Sequence, residues 1–128
     1  MGLKNRVLKL GVRRDVLNLL KRCHIGVVSS KWEGLPVSLL EYGFAGLPVV
    51  STSVGEIPQV LSYGAYGTLV PPEDSMALAD GLRLLMSSHF LREESGRSFC
   101  RHIEENYSKE SVIRQLLVIY KRILARDE

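Results

Sequence analysis

The chain alternates short, nearly unbroken apolar runs with longer stretches in which apolar residues return every three or four positions. The runs RVLKL (6–10), HIGVVSS (24–30), LPVVST (47–52) and GTLV (67–70) read as strands. HIGVVSS is almost continuously apolar and β-branched, which predicts a strand buried on both faces, as in parallel sheets. The periodic stretches read as helices. One begins near Asp15 and carries Val16, Leu19 and Leu20 as far as Arg22. A second starts at Pro36, whose missing N–H suits a first helical turn, runs through Leu39, Leu40 and Phe44, and stops at Gly46, a glycine suited to closing a helix. A single turn follows Pro58, and Pro71–Pro72 stops the last strand. Three more helices are predicted: from Asp74 or Ser75 to about Ser88 with Leu78, Leu82, Leu85 and Met86 on one face, from about Phe90 to Glu105, and from after Ser108. In the last, Val112, Ile113, Leu116, Leu117, Tyr120, Ile123 and Leu124 keep the 3.6-residue period.

Strand, helix, strand, helix, strand, short helix, strand and then helices is an α/β order with parallel strands. The expected architecture is a partial Rossmann-like domain: a short parallel sheet flanked by helices, joined by right-handed crossovers, with a helical C-terminus. No internal repeat, low-complexity segment or linker divides the chain, so residues 1–128 read as one domain. Ligands of such sheets bind beyond the carboxyl ends of the strands. The loop SSKWEGLP (29–36) leaves the carboxyl end of HIGVV and therefore lies where a site is expected.

Composition narrows the class. With 45% hydrophobic and 24% charged residues in a 128-residue chain, it can build one ordinary globular core. No apolar run approaches the length of a membrane span, and the N-terminus MGLKNRVLKLGVRRD lacks the apolar core and cleavage site of a signal peptide. A cytoplasmic location follows as the expectation. Cys23 and Cys100 have no CxxC partner, and His24, His89 and His102 show no ligand spacing, so reduced thiols and no metal are expected. The net charge of +3 gathers at Lys4, Arg6, Lys9, Arg13, Arg14, Lys21 and Arg22 and along the last helix. A solvated surface accounts for this, as does a patch for a phosphorylated ligand or an anionic membrane. No basic motif interleaved with aromatics points to nucleic acid.

The candidate chemistry lies in EGLPVSLLE, where Glu33 and Glu41 are separated by seven residues. The helix from Pro36 begins with unpaired amides of Val37, Ser38 and their neighbours, which together with the dipole favour an anion. Gly34–Leu35 allows close approach of a ligand to the backbone. Glu41 lies about 7.5 Å along the axis from Pro36, so the two carboxylates flank the helix start roughly 10 Å apart. That is wide for two acids acting on one bond. It suits two groups gripping vicinal hydroxyls at opposite ends of a nucleoside diphosphate sugar. The bland readings fit the same residues: Glu33 complementing the dipole, and Glu41 pointing to solvent.

The wider pattern of HIGVVSS, KWEGLPVSLLEYGFAGLPVVSTSVGEIPQVL and YGTLVPPEDSMALADGLRLLMSS resembles the C-terminal half of the donor-binding domain of the family 4 retaining glycosyltransferases, which have the GT-B fold. The resemblance rests on the E-x7-E motif, the helix ending in Gly46-Leu47-Pro48-Val49-Val50, the Gly55-x-x-Pro58 loop, and Gly67-x-Leu69-Val70-Pro71-Pro72 followed by Asp74 and Leu78-Ala79. It runs from Val7 to about Leu124.

The resemblance implies transfer of a hexose from a UDP- or GDP-sugar to a sugar or lipid-linked glycan, with retention at the anomeric carbon and without a metal. Glu33 would be the catalytic carboxylate, touching the donor hexose near its 3- and 4-hydroxyls and either stabilising the oxocarbenium charge or positioning the sugar, and Glu41 would bind the ribose. Gly34, Leu35, Pro36 and Val37 would line the pocket, with amides at Val37 and Ser38 taking the diphosphate. The family's Gly-Gly-x-Pro-Glu loop reads Gly55-Glu56-Ile57-Pro58-Gln59 here, which puts the anion of Glu56 either near the pocket or in solvent.

The resemblance also implies what the chain lacks: an acceptor domain, and the two strand–helix units that carry the family's diphosphate-binding Arg and Lys. A truncated chain with little transferase activity of its own is therefore expected. In the order 3-2-1-4-5-6, RVLKL would be an outer strand whose inner neighbours are missing, leaving HIGVV with an open edge. Either RVLKL moves in beside it or a second copy pairs there as a homodimer. Peripheral membrane association of the full-length enzyme is a further expectation. Two other functions fit the residues: a sugar-nucleotide epimerase relative, and a non-catalytic nucleotide-binding or interaction module.

Overall fold

A computed structural model describes residues 2–125. Three short strands, β1 (Gly26–Val28), β2 (Val49–Thr52) and β3 (Thr68–Val70), form a parallel sheet in the order β1-β2-β3. Gly26 registers with Val49, and Val50 with Thr68. The helices are α1 (Val16–Leu20), α2 (Val37–Phe44), α3 (Ile57–Val60), α4 (Ser75–Ser87), α5 (His89–Tyr107) and α6 (Lys109–Leu124).

Each strand's alternation sends neighbouring side chains to opposite faces. Val28 and Val49 join Leu39 of α2, Ile57 and Val60 of α3, and Phe99 and Ile103 of α5 in one core. Val50 and Val70 meet Leu85 of α4 in a second, smaller core. Two covered faces explain why LPVV is continuously apolar and why Ser51 and Thr52 after it are buried too. Glycines permit the closest approaches: the ring of Tyr42 lies on Gly26, and Ile103 packs directly on Gly43, so α2 and α5 touch backbone to side chain.

Local chemistry closes the helices, at Asp74 and Ser108 where the sequence indicated and at Ser88, expected only as the end of the helix before. Asp74 accepts from the amide of Ala77 at 2.9 Å, Ser88 from Leu91 at 3.1 Å and Ser108 from Ser111 at 3.2 Å, each the capping role expected of its type. Gly46 follows α2 at φ 72°. Pro36 stands one position earlier than expected, as the residue capping α2 rather than within its first turn.

Two expectations fail. RVLKL forms no strand: Val7, Leu8 and Leu10 are exposed, and Arg6 makes only a local bond to Leu3 O at 2.9 Å. A strand needs a neighbour for its backbone and a surface for its apolar side chains, and this segment has neither, so it does not move in beside β1. Second, HIGVV is not buried on both faces. Val27 is 37% exposed because α4 packs over β2 and β3 and stops short of β1. The apolar face of α6, whose period the sequence shows, is bare. Val112, Ile113, Leu116, Leu117, Tyr120, Ile123 and Leu124 are all exposed, and Ser111 is the buried residue of that helix.

Candidate active site

The loops leaving β1, β2 and β3 gather at the carboxyl ends of the strands. Thr52, buried at the end of β2, donates its hydroxyl to Ser30 O at 2.7 Å, which ties the β1–α2 loop to the sheet. Ser30 in turn donates its hydroxyl to Glu33 Oε1 at 2.6 Å. That short bond orients the half-buried carboxylate and leaves Oε2 free to accept from a ligand.

The β2–α3 loop lies directly under the β1–α2 loop. Gly55 has φ 54°, and a β carbon there would overlap the carbonyls of Glu33 and Gly34. The amide of Glu56 donates to Gly34 O at 2.9 Å. Glycine at 55 is thus required twice, by conformation and by space. A hollow of about 330 Å³ opens here, walled by Trp32, Glu33, Val54, Gly55 and Pro72. Lys31 Nζ meets Glu73 Oε1 at 2.8 Å against the same hollow. A second hollow of about 220 Å³, by Ser29, Thr52 and the start of α4, shares Glu73 with the first.

The residues singled out in the sequence divide between two places. Glu33 lines the hollow, while Gly34 does not line it and accepts the amide of Glu56 behind it. Leu35 and Val37 are exposed, Pro36 is buried, and Ser38 is half-buried at the start of α2. Leu39 donates its amide to Pro36 O at 3.0 Å, and the amides of Val37 and Ser38 before it have no acceptor within the helix. Glu41 is half-buried further along α2 and does not line the hollow of Glu33. Among the described residues its carboxylate makes no hydrogen bond or ion pair. Its charge reaches Tyr42, whose phenol is pushed up chiefly by burial, then by Cys23 and by Glu41. Glu56 is exposed away from this wall, and its charge adds to burial in raising Tyr107. No group of three or more potential metal ligands occurs among the described residues.

Sequence reasoning missed Ser30, Thr52, Lys31 and Glu73. Ser30 could have been found from its place three positions before Glu33. Glu73 could not: it joins Lys31 across 42 positions and holds φ 60° between Pro72 and the capping Asp74.

The chain has several relatives that carry the names of glycosyltransferases. It is 29% identical over 128 residues to the N-acetyl-alpha-D-glucosaminyl L-malate synthase of Bacillus anthracis, covering 100% of this chain and 34% of that protein. It is 26% identical over 115 residues to the N,N'-diacetylbacillosaminyl-diphospho-undecaprenol alpha-1,3-N-acetylgalactosaminyltransferase of Campylobacter jejuni, covering 90% of this chain and 30% of that one. The chain thus spans about a third of the length of these relatives. A glycosyltransferase structure from Rickettsia africae superposes with a TM-score of 0.86 at 24% identity, over 95% of this chain and 33% of the other, which places the fold in the GT-B class. The family model described as glycosyl transferases group 1 matches residues 1–88, and the chain belongs to that family.

Proposed function

We propose that this chain forms the donor-binding part of a retaining glycosyltransferase of family 4, which moves a hexose from a UDP- or GDP-sugar to a sugar or lipid-linked glycan acceptor. The observation that carries the reading is Glu33: a carboxylate fixed by Ser30, walling a hollow at the carboxyl ends of parallel strands, three residues before Pro36 caps α2. The names of the relatives, two of which carry amino-sugar groups, support a hexose-type donor.

In this reading the donor straddles the start of α2. Glu33 accepts hydroxyl hydrogens of the hexose and faces the positive charge that grows at the anomeric carbon. Backbone at Gly34, Leu35 and Pro36 lines the sugar, and amides of Val37 and Ser38 take the diphosphate. Negative charge accumulates on that leaving group in the transition state, so donors already in place stabilise the transition state more than the ground state. The unpaired carboxylate of Glu41 accepts the two ribose hydroxyls. The reaction takes place on the cytoplasmic side, with the full-length enzyme held peripherally at the membrane face.

Transfer assays on the full-length enzyme test these roles. Glu33→Ala should lower kcat far more than it raises the donor KM, whereas Glu41→Ala should raise the donor KM by about ten- to a hundredfold, the loss of charge-assisted bonds worth about 1.5–3 kcal/mol. Unchanged kinetics in both variants would remove the reading.

The open edge of β1 favours a second copy of this chain as partner. Val27 is exposed, and its carbonyl accepts from the Tyr42 hydroxyl at 3.3 Å. A single monomeric mass by light scattering at high concentration would exclude the homodimer.

A further inference from the structure

Lys31 and Glu73 come from different loops and meet at 2.8 Å against the hollow that holds Glu33. Stability does not account for the pair. The two side chains are 55% and 66% exposed, and exposed ion pairs contribute little. Glu73 moreover adopts φ 60°, a conformation costly for a residue with a side chain and natural for glycine. The charge around it is unbalanced as well. Along the two adjoining hollows Lys31 is the one cation among the described residues, facing Glu33, Glu73 and Asp74. While Glu73 holds Lys31, the cavity presents net negative charge to anything that enters.

We propose that Lys31 is a ligand-contacting cation and Glu73 its exchangeable counter-ion, so that an anionic oxygen of the donor takes the place of the Glu73 carboxylate on Lys31. The proposal rests on the donor-site reading above and adds a residue and a control to it. Glu73 sets how tightly an anionic donor binds, because every binding event must displace it. The anionic oxygen has two possible sources, the diphosphate or a carboxylate on the sugar. An exposed pair suits such an exchange, since breaking it requires no desolvated charge to be left behind.

The test is titration of the chain, at low ionic strength, with pyrophosphate, UDP, UDP-glucose and UDP-glucuronate, following the backbone amides of Lys31, Gly34 and Val37. Glu73→Gln should tighten pyrophosphate and UDP by about three- to tenfold, as expected for removing one unit charge several ångströms from the anion. Most of that gain should vanish in about 0.5 M salt. Glu73→Gly, which also relieves the backbone, should give the same gain, and Lys31→Met should abolish it in either background. Equal tightening of pyrophosphate, UDP and UDP-glucose identifies the diphosphate as the partner. Tightening confined to UDP-glucuronate identifies a sugar carboxylate. Affinities unchanged by Glu73→Gln, or the same gain with Lys31→Met present, would overturn the exchange while UDP binding left the donor site standing. Tighter pyrophosphate with no response of Gly34 or Val37 to UDP would keep the exchange and remove the donor site. Silence towards every probe would overturn both.

Discussion

On one face of the sheet α2, α3 and α5 close over Val28 and Val49, with Ile57, Phe99 and Ile103 wholly buried. On the other, α4 covers Val50 and Val70 but leaves Val27 exposed, and the equally apolar stripe of α6 packs by little beyond its first turn. The same kind of sequence pattern serves both regions. Periodicity determines that an apolar face exists and which residues share it. Whether the face is covered depends on what stands opposite. The closed face therefore carries the stability of this chain, and the bare one contributes little to it.

Denaturation experiments can break or sharpen that contrast. The largest effect is expected from Phe99→Ala, which should cost about 3–5 kcal/mol by urea unfolding, the price of a cavity in a closed core. Leu116→Ala on α6 should change stability by less than about 0.5–1 kcal/mol. Comparable losses in the two variants would show that α6 is packed in solution.

A smaller loss should follow Gly43→Ala. The new β carbon would press on Ile103, and overpacking of this kind costs about 1–3 kcal/mol. Ile103→Val should recover part of that loss in the double variant, a coupling that double-mutant analysis resolves. Full additivity would mean that α2 and α5 are less closely apposed than described.

Next comes the link from the sheet to the site. Thr52→Val removes the hydroxyl that holds Ser30 O at 2.7 Å. The change should destabilise by about 1–2 kcal/mol, since a partly buried carbonyl loses its partner. It should also increase amide exchange in residues 30–34. Exchange unchanged there would mean that the loop bearing Glu33 is held by other contacts.

The smallest effect concerns alkaline pH. Tyr42 has its pKa raised above 10.0, chiefly by burial. The unfolded chain releases that proton first, so the associated stability is present below pH 10.0 and is lost as the pH rises through the folded-state value. Tyr42→Phe should flatten the decline above pH 10.0 seen in the unmodified chain. An identical decline in both would assign it elsewhere.

Much of the fold was legible because it is written locally. Asp74 and Ser108 announce two helix starts, Gly46 a helix end, and the apolar run before Ser51 a strand, whereas burial on both faces belongs to that strand and not to HIGVV, for which it was expected. The strand expected at RVLKL was not legible, since pairing is decided by a neighbour that no local pattern reveals. For the site, Glu33 could be placed at the carboxyl end of a strand from element order alone, and the helix behind it from Pro36. The residues that fix and surround its carboxylate could not. Thr52 reaches Ser30 across 22 positions and Lys31 reaches Glu73 across 42, contacts that exist only once the loops have been stacked through Gly55.

The central claim is that a sugar nucleotide binds across the start of α2. Amide spectra of the isotopically labelled chain during a UDP and GDP titration test it most directly. The account predicts saturable shifts concentrated at Glu33, Gly34, Val37, Ser38 and Glu41, with α6 unmoved. Shifts that cluster anywhere else, or none at millimolar nucleotide, would contradict it.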